Sequence, residues 1–180
     1  MTRYDVIVVG AGPSGATAAR WCAKYGFSTL LIDKSHFPRD KPCGGMVSAR
    51  ALKELDFGID EIAQQVYYEC RFFRPKGDFF TLKSPLPLAI GILRSDFDSL
   101  LVRKAESEGV TFEEEKKVET VAIYETGVDV LCKGGFKATS EVVIAADGAD
   151  SMIAKQIGIR KRLLPDEVSL VCVCEAKASA

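Results

Sequence analysis

A glycine pattern near the start of the chain limits its possible folds more than any other feature. Gly10-Ala11-Gly12-Pro13-Ser14-Gly15 directly follows the apolar run YDVIVVG of residues 4–10. A GxGxxG pattern alone is a weak signal. Here its surroundings agree with it. The preceding run is apolar and β-branched, as a buried parallel strand requires. Residues 12–25 read as a helix, with Gly15, Ala19, Cys22 and Ala23 on one face and Gly26 as its stop. Residues 28–33 (STLLID) read as a second buried strand, closed by Asp33. In such a βαβ unit Gly10 permits the tight turn, Gly12 lets backbone approach a pyrophosphate, and Gly15 lets helix pack on sheet. The first turn, at Pro13 and Ser14, offers the positive end of the helix dipole to phosphate. Asp33 can accept hydrogen bonds from both ribose hydroxyls and would repel a 2′-phosphate. The competing reading is a chance glycine cluster in a surface turn. Strand, helix and acid together weigh against it.

The remainder does not continue as alternating βαβ units. Pro38, Pro42, Gly44 and Gly45 break regular structure around Cys43. Residues 46–55 read as a helix. Runs at 66–73, 78–82 and 88–93 read as an antiparallel excursion. Residues 95–108 read as a helix capped by Ser95, with Asp96 and Asp98 in its first turn and Phe97, Leu100, Leu101 and Ala105 on its apolar face. A short strand at 110–114 is followed by three strands at 118–124, 128–132 and 136–139, spaced as a meander with turns at Thr126-Gly127 and Gly134-Gly135. A buried strand at 141–146 (EVVIAA) leads into Asp147-Gly148 and a short helix, and one more strand is expected at 168–176.

Bulk properties exclude several classes. The net charge is −1, so no overall field draws the chain to nucleic acid or to an anionic membrane. No run approaches the roughly 18 apolar residues of a membrane span. The N-terminus lacks the pattern of a signal peptide, so a cytoplasmic location is expected. The six cysteines have no paired CxxC spacing and are expected to be reduced thiols; Cys172 and Cys174 would share a strand face. With His36 as the only histidine, no metal site is expected. Trp21 and Cys22 read as packing residues, His36 as a surface loop residue, and Glu113 to Lys117 as a solvated strand end.

Three stretches carry a resemblance: VIVVGAGPSGATAA through LLIDK, LRSDFDSLLVRKAESEG, and VVIAADGADS. The order of elements resembles the glutathione-reductase-type FAD-binding fold, in which a three-stranded meander crosses a parallel sheet. The second and third stretches resemble the branch that includes p-hydroxybenzoate hydroxylase, with its R-x-x-F-D-x-x-L helix and Asp-Gly motif. PRDKPCGG at residues 38–45 resembles the geranylgeranyl reductases, including the digeranylgeranylglycerophospholipid reductases. The implied fold class is α/β: a parallel sheet with a three-stranded β-meander, plus a partial antiparallel sheet on the substrate side. Residues 1–65 and 94–160 would form a discontinuous FAD-binding domain, and 66–93 with 161–180 a truncated substrate-side β region. These families also carry a Gly-Asp motif and a long C-terminal substrate domain, which the 180 residues do not contain. The resemblance therefore covers an N-terminal part only.

The resemblance implies FAD as cofactor, with Gly10, Gly12, Pro13, Ser14, Gly15, Asp33, Lys34, Cys43, Gly44, Arg94, Val118, Asp147 and Gly148 around it. Arg94 would reach the phosphate or ribityl chain, where a fork of donors suits phosphate. Val118 would offer backbone to the adenine edge. The Cys43 loop would pass the flavin ring. There the choice lies between backbone contact, which is favoured, and a catalytic thiol that donates a proton or tunes the flavin. Asp147 ends a buried strand where open α/β sheets place ligands, and a turn or helix-capping role competes with cofactor binding. The implied activity is reduction of isoprenoid double bonds in geranylgeranyl lipids or diphosphate. Peripheral membrane contact would follow from such a substrate, and the electron donor is open. The alternatives are a flavin monooxygenase or halogenase, a quinone-linked electron-transfer dehydrogenase, and a non-catalytic FAD-binding module.

Overall fold

The computed structural model describes residues 2–169 and 171–174. Two compact units form. One holds Arg39 and the residues before it together with Asp98–Val171; the other holds Asp40–Phe97 and the described residues after Val171.

The first unit is built on a six-stranded sheet. Its strands are β1 (Thr2–Val9), β2 (Thr29–Ile32), β8 (Thr111–Glu113), β9 (Val118–Tyr124), β10 (Gly127–Cys132) and β11 (Lys137–Ala145), in the order β8-β2-β1-β11-β10-β9. The β8-β2-β1-β11 half is parallel and the β11-β10-β9 half antiparallel. This is the expected α/β arrangement, a parallel sheet continued by a three-stranded antiparallel meander. The strands expected at 136–139 and 141–146 are one element. The first part of β11 pairs with β10, and its whole length runs beside β1. Pairing on both sides leaves no reason for a break, and Ser140, fully buried at the join, spends its hydroxyl on the Val142 carbonyl at 2.8 Å.

Ile7, Val9, Leu30 and Ile32 on one sheet face form a core with Val118, Val130, Cys132, Ala138 and Ile153. Each such buried aliphatic side chain contributes about 1.5–3 kcal/mol. Helix α1 (Pro13–Lys24) covers β1 and β2 and buries Gly15, Ala16, Ala19 and Arg20. The expected face of Gly15, Ala19, Cys22 and Ala23 is thus rotated. Arg20 lies inside because its guanidinium reaches Glu108 at 3.1 Å. Helix α3 (Arg94–Glu106) buries Phe97, Leu100, Leu101 and Ala105 as expected, and also Asp98 and Val102. Ser95 is its second residue, not its cap. Helix α4 (Met152–Gln156) is short and capped by Ser151.

The second unit has an antiparallel sheet in the order β3-β7-β4, of β3 (Met46–Ser48), β4 (Ala63–Tyr67) and β7 (Ala89–Ile92). A separate hairpin pairs β5 (Glu69–Phe73) with β6 (Phe79–Lys83). The single strand expected at 66–73 is divided between the sheet and the hairpin. The helix expected at 46–55 shrinks to α2 (Ala49–Lys53), because Met46–Ser48 pairs with β7 and the Ser48 side chain caps the short helix. No strand forms at Val168, Ser169 or residues 171–174. The rest of that expected strand, Leu170 and residues 175–176, lies outside the described residues.

Candidate functional site

Three strand ends of the first unit converge on the glycine loop. The Gly10 N–H donates to the Ile32 carbonyl at 2.7 Å, and the Ala146 N–H to the Val9 carbonyl at 2.8 Å. Gly10 has φ +101°, and a Cβ there would collide with the Ala146 carbonyl. A Cβ on Gly15 would collide with the Gly10 carbonyl. These two glycines are fixed by the protein itself. Gly12 differs: among the described residues beyond its chain neighbours, a Cβ there would meet only the Arg39 Nη2, at 3.4 Å. Gly12 is the N-cap of α1, no side chain caps the helix, and Pro13 sits in its first turn, where its missing N–H costs nothing. The first-turn N–H groups therefore face a space kept clear beside Gly12, the geometry in which helix N-termini take up phosphate.

Asp33 comes directly after β2 and is buried. Its Oδ2 accepts the Ala11 N–H at 2.7 Å and its Oδ1 the Ser35 N–H at 2.8 Å. A carboxylate offers about four acceptor positions, so both oxygens keep capacity for a ribose. Lys34 beside it is exposed. Asp147 lies against Gly10, its Cα 3.1 Å from the position of a Gly10 Cβ. One oxygen caps α4, accepting the Met152 and Ile153 N–H groups at 2.8 and 3.2 Å. The other, Oδ1, is buried without a hydrogen-bond partner. The capping reading thus describes one oxygen, and the other is left open to a hydrogen-bond donor. Gly148 comes next, with φ +94°. Val118 opens β9 with its side chain in the core, so its backbone is what it can offer.

The glycine loop fits a dinucleotide pyrophosphate, and Asp33 beside it fits a ribose. Sequence reading missed Arg39 and misjudged Asp98. Asp98 is fully buried, and its Oδ2 accepts from the Arg39 Nη2 at 2.9 Å. The one sequence signal for Arg39 was a cation set between Pro38 and Pro42 just after the ribose acid.

In the second unit, Cys43 and Arg94 line one cavity of about 390 Å³, with Lys41, Pro42, Ile92 and Ser95. Gly45, not Gly44, is the constrained glycine of the Cys43 loop. It has φ +64°, a Cβ would strike the Ile92 carbonyl, and the Ile92 N–H donates to its oxygen at 2.8 Å. A Cβ on Gly44 would meet nothing within 4 Å among the described residues. By contrast, burial raises the thiols of Cys22 and Cys132, the latter to about 11, so neither forms a thiolate readily.

The family described as FAD binding domain matches residues 3–173. The chain is 34% identical over 167 residues to digeranylgeranylglycerophospholipid reductase 1 of Methanosphaera stadtmanae, covering 88% of this chain and 41% of that one. It is 31% identical over 166 residues to a menaquinone reductase of Mycobacterium tuberculosis, covering 87% and 40%. A crystal structure of a geranylgeranyl bacteriochlorophyll reductase-like protein from Thermoplasma acidophilum superposes with a TM-score of 0.82 at 28% identity, over 94% of this chain and 44% of that one. The chain thus spans about two fifths of the length of these curated relatives. A match over nearly its whole length, on a glycine loop shaped for a pyrophosphate, shows that the chain belongs to the FAD binding domain family and that FAD is its cofactor.

Proposed function

We propose that this chain is the FAD-binding portion of an oxidoreductase that saturates isoprenoid double bonds. The observation that carries the reading is the Cys43 loop. Gly45 is locked against β7, and Cys43 opens into a cavity that Arg94 also lines. Similarity to a digeranylgeranylglycerophospholipid reductase supports the substrate class. When bound and reduced by the external donor, the flavin would supply a hydride to one carbon of the double bond, and an acid would supply the proton to its neighbour. In this reading the glycine loop and the α1 N-terminus hold the pyrophosphate, and Asp33 takes the ribose. Asp147 Oδ1 and Arg94 supply further polar contacts to the cofactor, with Val118 contributing backbone. The Cys43 loop sets the face on which substrate lies. A cytoplasmic enzyme acting at the membrane surface fits this substrate class.

Product analysis tests it. The full-length protein, given a reductant and a geranylgeranyl lipid, should yield products heavier by two hydrogens per double bond. Menaquinone as the sole substrate converted would replace the geranylgeranyl assignment with a quinone one. Oxygenated or halogenated products would reject reduction altogether. Cys43→Ser should keep FAD and turnover if only the loop backbone matters. Loss of turnover with FAD retained would place the thiol in proton delivery.

A further inference from the structure

We propose that Arg39 is a ligand of the FAD pyrophosphate and that the buried Asp98 is the positioning residue that holds it there. The proposal deepens the FAD assignment and rests on it. The Arg39 side chain is 15% exposed and that of Asp98 is 0% exposed. A carboxylate so buried is sustained by a partnered cation, and a buried ion pair adds little net stability. Only one guanidinium nitrogen, Nη2, meets Asp98, at 2.9 Å. The Nε is buried with no hydrogen-bond partner. Arginine carries five N–H donors in a rigid fork, so one contact leaves most of them for another acceptor.

Nη2 bears two N–H groups and Asp98 takes one, so the same nitrogen keeps a donor for an acceptor near the glycine loop. The Arg39 Nη2 is 3.4 Å from the position of a Gly12 Cβ, on the side of the loop kept clear in front of the α1 N-terminus. No acidic residue stands in the first turn of α1 to repel an anion. The loop that presents Arg39 is itself anchored. Glu114 accepts the Phe37 N–H at 2.7 Å, Phe37 packs edge-on against Phe112 at 5.3 Å, and the Arg39 guanidinium lies 5.2 Å from the Phe37 ring centroid. A carboxylate on one nitrogen and an aromatic ring against the guanidinium restrict how this cation can turn. The pyrophosphate is the part of FAD that carries two negative charges, and the geometry places the fork beside it.

The test uses the full-length protein stripped of flavin, titrated with FAD and with ADP, which shares the pyrophosphate and lacks the flavin. Arg39→Gln alone removes a cation from a buried carboxylate, so the decisive variant is Arg39→Gln with Asp98→Asn. It should remain folded and lose roughly ten- to hundredfold in affinity for both FAD and ADP. Its binding should also depend less on salt. Asp98→Asn should weaken FAD when Arg39 is present and change nothing further in the Arg39→Gln background, a coupling a purely structural role would not give. A folded double variant with wild-type affinity overturns the proposal, as does one that loses FAD while keeping ADP. Should the double variant not fold, Arg39→Lys carries the test. It keeps the charge pair, and unchanged FAD affinity there overturns the forked contact. Failure of the wild-type protein to bind FAD would instead remove the cofactor assignment itself.

Discussion

At the scale of single residues, the three glycines of the loop do different work, and their substitutions separate fold from ligand. A methyl at Gly15 meets the Gly10 carbonyl, so Gly15→Ala should lower the melting temperature of the flavin-free protein, through overpacking of about 1–3 kcal/mol. A methyl at Gly12 meets no backbone. Gly12→Ala should leave that melting temperature almost unchanged and weaken FAD by roughly five- to hundredfold, through the same overpacking felt only in the complex. Calorimetric titration beside thermal melts checks both. The glycines and Asp33 were legible because the backbone demands them at fixed offsets from a strand. The second task of Asp33, bracing the Ala11 and Ser35 N–H groups, was not legible. Arg39 and Asp98 were not legible as a pair, because a contact across so long a stretch of chain leaves no periodic trace. Asp98 read as an ordinary first-turn acid.

At the scale of elements, the segment from Asp33 to Arg39 is held chiefly by β8 and the residues just after it. Glu114 accepts the Phe37 N–H and contacts His36 Nδ1 at 2.8 Å. The Phe37 N–H, and after it His36, keep the Glu114 carboxyl below the ordinary carboxylate range. A carboxyl depressed in the folded state contributes in full above its unfolded value, near 4.3, and that contribution disappears as pH falls through the folded value. Glu114→Gln should therefore melt a few degrees below wild type at neutral pH, and the two proteins should converge in strong acid. Melts across pH check this, and a difference constant with pH would contradict it. Long, periodic elements such as β1, α1, α3 and β9 were legible from sequence. Short ones were not. Residues 46–55 carry helical spacing, yet pairing with β7 claims the first three of them, and tertiary hydrogen bonds outweigh the local propensity of one turn.

For the molecule as a whole, the mixed sheet and meander were readable from the order of strand and turn signals. The division into two units at Arg39 and Asp98 had no signal in composition. The second unit also carries a feature that hydropathy alone could not rank. Phe72, Phe73, Phe79 and Phe80 of the hairpin are all exposed, Phe73 by 69%. Phe72 stacks on Phe80 at 4.8 Å and Phe73 meets Phe79 at 5.3 Å. Aromatic surface of this kind favours self-association. Phe73→Ser with Phe79→Ser should lower dye binding and aggregation of the 180-residue chain, at the cost of about 0.5–1.5 kcal/mol of ring pairing within the hairpin. FAD affinity should not change, since the hairpin carries none of the residues assigned to the cofactor.

Gly10 is synthesised just after β1, while the carbonyl it presses against belongs to Ala146. On the ribosome, at about 5–20 residues per second, the wait between the two is on the order of ten seconds. Until β11 emerges, β1 has an unpaired edge and the glycine loop lacks one wall. During that interval a nascent chain therefore lacks the wall that Ala146 gives the glycine loop. The loop is completed only when β11 arrives, a strand that itself carries none of the phosphate-binding glycines.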